Sequence, residues 1–260
     1  MKILIANDDG IQATGIHTLA KALCKNHDVY IVAPDQEKSC AGHALTLNMP
    51  IRVREVDIGI PVKKAWAVSG TPGDCVKMGV TEILPEKPDL VISGINHGPN
   101  LGADVLYSGT VSAAMEGAVL GYPSIAVSLA DLYGSSYNFK PAAEFVCKFL
   151  DKIHKINFPK KTILNINIPD GELKDMVGVC VVKLGMRMYT DAYEKRIDPR
   201  GKVYYWMAGE PIEDSNTHEP DSDIIAIMQK KISITPVTFE MTYKSIMPDL
   251  EIVFGSSSCE

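Results

Sequence analysis

The sequence predicts an α/β protein: a mostly parallel sheet with helices on both faces, followed by a C-terminal β-hairpin arm. Three observations carry this. Short β-branched runs alternate with amphipathic segments up to Pro169, the apolar residues of those segments recur at helical spacing, and the alternation ceases beyond Pro169. Strands that alternate with helices require crossovers between parallel neighbours.

Lys2 to Ala6 reads as a buried strand, and Ile16, Leu19, Ala20 and Leu23 follow at the i, i+3, i+4, i+7 spacing of one helix face. Asp28 to Ala33 (DVYIVA) is the next strand and completes a βαβ unit. Ile51 to Val68 holds two further strands. Thr71 offers an N-cap with Pro72 at the first helical position, opening a helix to about Leu84. Asp89 to Ser93 (DLVIS) is a buried strand, and Val111, Ala114, Met115, Ala118 and Val119 form the next helix face. Pro123 to Leu129 is a strand, Ala142 to Ile153 a long helix, and Thr162 to Ile168 the strand after it. Beyond Pro169, Met176 to Lys183 and Val203 to Met207 read as hairpin strands separated by the polar stretch Thr190 to Lys202. A short helix near Asp223 to Lys230, a strand at Ile232 to Thr235 and a serine-rich tail close the chain. The expected organisation is a core over residues 1–172 and an extension over 173–260 that serves oligomerisation.

Composition excludes several functions. Among 260 residues, 26 Lys+Arg against 32 Asp+Glu leave a formal charge of −6. No basic block offers a footprint for polymeric nucleic acid or an anionic membrane. No apolar run approaches the roughly 18 residues of a spanning helix. The N-terminal apolar run is shorter than the roughly 7–15 residues of a signal peptide, so a cytoplasmic location is expected. Cys24, Cys40, Cys75, Cys147, Cys180 and Cys259 show neither C-x-x-C nor zinc spacing and read as reduced thiols.

In open α/β sheets, ligands bind outside the carboxyl ends of the strands. Three such loops carry hard oxygen groups: Asn7-Asp8-Asp9-Gly10, the segment from Pro34 to Ser39, and the segment from Gly94 to Asn100. Adjacent carboxylates at a strand end repel one another unless protons or a cation screen them. Oxygen donors suit Mg²⁺, Mn²⁺ or Ca²⁺, which makes Asp8 and Asp9 the leading metal-ligand candidates. The same pair equally reads as one aspartate capping a turn beside a solvated one. A fourth loop, Leu106 to Thr110, precedes the helix at Val111. Free N–H groups with Ser108, Gly109 and Thr110 would make a phosphate site there, unless Thr110 is merely the N-cap. His43 and His97 flank these loops and are candidates for proton transfer or for structural hydrogen bonds. The turn Ser69 to Asp74 either lines a substrate or only joins strand to helix. Met186, Met188 and Tyr189 either stack on a base or pack. No dinucleotide fingerprint or P-loop is present.

The strings ILIANDDG, SGINHGPNLGADVLYSGTVSAAMEGA and ISITPV, in that order along the chain, together resemble the SurE survival-protein family of nucleotidases. The resemblance implies a Rossmann-like core with a C-terminal arm exchanged between subunits, giving a homodimer or homotetramer. It further implies a phosphatase of nucleoside 5′- and 3′-monophosphates, in some members also of short polyphosphate. One divalent cation, Mg²⁺ or Mn²⁺, would be held by Asp8, Asp9, Ser39 and Asn96, with Asp8 and Asp9 catalytic. Asn7, His43, Ser108, Gly109 and Thr110 would contact phosphate or substrate. The Ser39 loop departs from the Ser-Gly opening common in the family, reading Ser39-Cys40-Ala41-Gly42-His43. Two alternatives start from the same paired acids. One is a receiver-like signalling module, which would end its third strand in a phosphoacceptor Asp. The other is a Mg²⁺-dependent nucleotide binder without turnover.

Overall fold

The computed structural model describes residues 1–132, 137–187, 189–190, 193–209, 211–212 and 219–255. Met188, Cys259 and the serine-rich tail from residue 256 onward lie outside the described residues.

The first strand, β1 (Lys2–Ala6), is buried along almost its whole length because its run KILIA has no solvent face. Helix α1 (Thr14–Leu23) leads to β2 (Asp28–Pro34), which pairs with β1 in parallel. The edge strand β3 (Val53–Glu55) and β4 (Lys64–Val68) extend the sheet on that side. Helix α2 (Pro72–Met78) opens on a capping box: Thr71 Oγ1 accepts the Asp74 N–H at 3.1 Å, and Asp74 Oδ2 accepts the Thr71 N–H at 2.9 Å. The chain then crosses to the other side of β1, where β5 (Leu90–His97) pairs with it in parallel. Helix α3 (Gly109–Val119), β6 (Ser124–Ala130), α4 (Lys140–Leu150) and β7 (Thr162–Pro169) continue the parallel alternation.

Both faces of the sheet are covered. Ile3, Ile5, Ile31, Ile92 and Ile125 pack under Ile16 and Leu19 of α1 and Val146 of α4. Leu4, Val32 and Val91 pack under Val76 of α2 and Ala113 of α3. Each fully buried Leu or Ile stabilises the fold by roughly 1.5–3 kcal/mol, so this double-sided core dominates the architecture. Helix α1 sits so close to β5 that a Cβ on Gly15 would lie 2.0 Å from the Ile95 carbonyl oxygen, a contact only glycine permits.

Two strands beyond residue 172 join the same sheet. The strands β8 (Gly178–Val181) and β11 (Lys231–Thr238) pair in parallel, and β11 pairs antiparallel with β7. The order is β3-β4-β2-β1-β5-β6-β7-β11-β8. The segment around β8 therefore does not form the expected hairpin with Val203–Met207. That strand, β10, pairs instead with β9 (Tyr193–Ile197), which lies in the stretch expected to be a polar connection. Their turn is held by Asp198 Oδ1, which accepts the Arg200 and Lys202 N–H groups at 2.8 Å each. The short helix α5 (Asp223–Met228) lies where expected, and a helix that the sequence reading lacks, α6 (Met247–Phe254), follows β11.

Among the described residues the five cysteines are free thiols, and no helix is long and apolar enough to cross a membrane.

Candidate active site

Sheet order reverses between β1 and β5, so the connections from their carboxyl ends run to α1 and α3 on opposite faces and leave a crevice between them. A cavity of about 1010 Å³ opens there, lined by Asp8 and Asp9 beyond β1, Glu37 and Ser39 beyond β2, and Asn96 and His97 at the end of β5. All four expected metal ligands thus meet in one cavity. Asn96 and His97 belong to the strand itself, which runs past the expected end at Ser93. The Asn96 Nδ2 group donates to the Gly98 carbonyl at 2.8 Å, leaving Oδ1 as its acceptor end.

Helix α3 aims its first turn at Asp8. Ser108, not Thr110, is the N-cap: its Oγ accepts the Val111 N–H at 3.0 Å. The fully buried Thr110 hydroxyl donates to Asp8 Oδ1. Gly109 is required by this approach, since a Cβ there would lie 2.7 Å from the Asp8 Cβ and 2.8 Å from its Oδ2. Of the expected phosphate-binding residues, Ser108 lines the cavity, while Asn7 and Thr110 lie fully buried behind it.

The carboxylates are under-compensated. Burial pushes the Asp8 carboxyl above its ordinary value, and the Thr110 donors pull it back. Asp9 is raised to about 7, first by burial and then by the Asp8 charge, against a weak opposing contact from the His97 N–H at 3.4 Å. Glu37 raises both and accepts a hydrogen bond from the Ser39 hydroxyl. Among the described residues no three His, Cys, Asp or Glu side chains converge on one point. The oxygen groups of Asp8, Asp9, Glu37, Ser39 and Asn96 line the cavity together, hard donors of the kind that suits Mg²⁺ or Mn²⁺. Asn7 Oδ1, buried beside this set, has no hydrogen-bond partner among the described residues.

Comparison with known proteins agrees with this fold. The model of the family described as survival protein SurE matches residues 3–191. The chain belongs to this family. A protein of Pelotomaculum thermopropionicum named 5′-nucleotidase SurE is 51% identical, over 96% of this chain and 94% of its own. Its namesake in Thermosynechococcus vestitus is 49% identical, over 96% and 95%. The crystal structure of the SurE protein from Aquifex aeolicus superposes with a TM-score of 0.83 at 38% identity, over 97% of this chain and 99% of that one. Membership in the SurE family removes the receiver-like alternative.

Several expectations on this SurE scaffold resolve differently. His43 does not line the cavity; its Nε2 lies 2.9 Å from Oε2 of the buried Glu116, whose Oε1 accepts Lys77 Nζ at 3.0 Å. The Ser69–Asp74 turn is the capping turn of α2 and not a cavity wall. Tyr189 reaches the cavity, whereas Met186 is exposed outside it. The wall also contains residues that sequence reasoning did not single out: Glu37, Asn100, Asp104, Tyr107, Tyr137 and Arg187. Tyr137 stacks on the His97 ring at 4.3 Å. Asn100 is locked by Asn167 Oδ1, which accepts its N–H at 2.8 Å, and by Ser128 Oγ, which accepts its Nδ2 at 2.8 Å. Glu37 and Asn100 stand in strand-end loops the sequence marks as oxygen-rich, whereas nothing local announces Arg187, whose partner Asp104 stands 83 residues away.

Proposed function

We propose that the protein is a divalent-cation-dependent nucleotidase that hydrolyses nucleoside 5′- and 3′-monophosphates to nucleoside and inorganic phosphate. The observation that carries this is the Asp8–Asp9 pair at the β1–β5 switch point, with Asp9 raised to about 7 by burial and by the Asp8 charge. The names of the relatives support the same reading. Asp8, Asp9, Ser39 and Asn96 would hold Mg²⁺ or Mn²⁺. When bound, such an ion neutralises phosphate charge and lowers the pKa of a coordinated water. Asp8, held by Thr110, serves as the fixed carboxylate. Asp9 has the looser contact and is the proton acceptor in this reading. Ser108 supplies a hydroxyl at the cavity wall beside the N-terminus of α3, where a phosphate is favoured. The cavity is ample for a mononucleotide. Short polyphosphate presents a similar terminal phosphate and belongs in the same assay.

The test is inorganic phosphate release from a panel of 5′- and 3′-mononucleotides and tripolyphosphate, with Mg²⁺, Mn²⁺ or EDTA. Release is expected with a divalent cation only, and Asp8→Asn and Asp9→Asn each lower kcat by at least about 10³-fold, the scale on which loss of a catalytic group acts. A folded wild type that binds nucleotide with Mg²⁺ yet releases no phosphate would instead establish the non-catalytic binder.

A further inference from the structure

The segment after β8 is fastened to the turn that carries Asp104. The fully buried Asp223 carboxylate accepts the Gly102 N–H on Oδ2 and the Gly185 N–H on Oδ1, both at 2.9 Å. The two backbones run so close that a Cβ on Gly102 would lie 2.6 Å from the Gly185 carbonyl oxygen. Held in this register, Arg187 Nη1 donates to Asp104 Oδ2 at 2.8 Å, and the Tyr189 hydroxyl donates to the same oxygen at 2.5 Å. The side chains of Arg187 and Asp104 are 9% and 19% exposed, so this ion pair is largely shielded, unlike the weak pairs of an open surface. The guanidinium also lies over the Tyr189 ring, 5.7 Å from its centre.

Asp104 passes the constraint on. Its main-chain carbonyl accepts the N–H groups of Tyr107 at 3.0 Å and Ser108 at 3.1 Å. Ser108 caps α3, and two residues later Thr110 binds Asp8. A continuous line of contacts therefore runs from Arg187 through Asp104 and Ser108 to Thr110 and Asp8. We infer that Arg187 is a positioning residue: through Asp104 it holds the first turn of α3, and with it Thr110, against the Asp8 carboxylate. The kinetic part of this inference rests on the nucleotidase reading; its structural part does not.

Two readouts test it, on Arg187→Gln, Asp104→Asn, their double variant and Arg187→Lys. Each neutral variant should lower kcat by about tenfold at nearly constant KM, the effect typical of losing a residue that orients a metal ligand. The double variant should be no slower than either single one, since both break one linkage. Arg187→Lys, which keeps the charge and a donor, should recover most of the rate. Amide hydrogen exchange across Asp104–Val111 should accelerate in both neutral variants by more than any shift of the urea midpoint accounts for. Wild-type exchange and kcat in Arg187→Gln would overturn the inference, as would additive losses in the double variant. A rise in KM alone would overturn it too, by making Arg187 a substrate contact. Should Arg187→Gln not fold, the isosteric Asp104→Asn carries the same comparison. Should the wild type release no phosphate at all, the nucleotidase reading fails and hydrogen exchange alone decides.

Discussion

At Asp9, burial and the Asp8 charge lift the carboxyl from an ordinary 3.8 to about 7. Because the folded-state value is the higher one, the folded protein binds the proton more tightly than the unfolded chain. This contribution to stability is fully present below 3.8 and is lost as pH rises through about 7. Asp8 is shifted in the same direction. In EDTA, unfolding free energy from urea titrations should therefore fall between pH 4.5 and 7.5 by a few kcal/mol more than in Asp9→Asn. Millimolar Mg²⁺ should restore the loss at pH 7.5, because the cation replaces the proton as the screening charge. An equally steep profile in Asp9→Asn would remove Asp9 as the source. Asp8 and Asp9 were legible because the signal is local: two acids directly after an apolar strand. Arg187, the anchoring of Asn100 and the role of Thr110 were not, because their partners stand 83, 67 and 102 residues away in the chain.

Among the described residues three helices begin with a hydroxyl cap, Thr71 on α2, Ser108 on α3 and Ser222 on α5, and comparing the first two separates stability from function. Thr71 caps α2 away from the cavity, whereas Ser108 caps α3 at its wall. Removing either cap is expected to cost about 1 kcal/mol of stability. Thr71→Ala should shift the urea midpoint and leave kcat unchanged, while Ser108→Ala should shift both, since the same turn carries Thr110 to Asp8. Equal kinetics in the two variants would detach the α3 cap from the chemistry. The cap at Thr71 was legible because Thr-Pro is a local instruction, as was the parallel half of the sheet, where buried strands read as apolar runs. The strand β9 was hidden because YEKRI is exposed at every position and carries no inward apolar alternation. The pairing of β8 with β11 was hidden for a different reason: a strand's partner is chosen by the whole sheet, and a hydrophobic pattern names a face but not a neighbour.

Across the whole molecule the apolar surface is unevenly spread. The hairpin strand β10 exposes Tyr205 at 60%, Trp206 at 59% and Met207 at 78%, and α6 exposes Ile252 at 82% and Phe254 at 79%. The hairpin pairs only with itself among the described residues, and its rings stay exposed among them. Large apolar side chains exposed together on one hairpin are what an interface would cover. A second copy of the chain is the partner proposed here, in a homodimer or homotetramer, and a net charge of −6 is small enough not to oppose close approach. Light scattering after gel filtration at micromolar concentration should give a mass of two or four chains, and Tyr205→Ser with Trp206→Ser should shift it toward one. Met207 and Gly209 also line the cavity, so the hairpin is tied to the site as well as to the surface. If association closes the cavity, the monomeric variant should lose phosphate release in step with mass, and raising its concentration should restore both together. A variant that stays fully assembled would move the interface to α6, whereas one that becomes monomeric with undiminished kcat would leave the hairpin an assembly element alone.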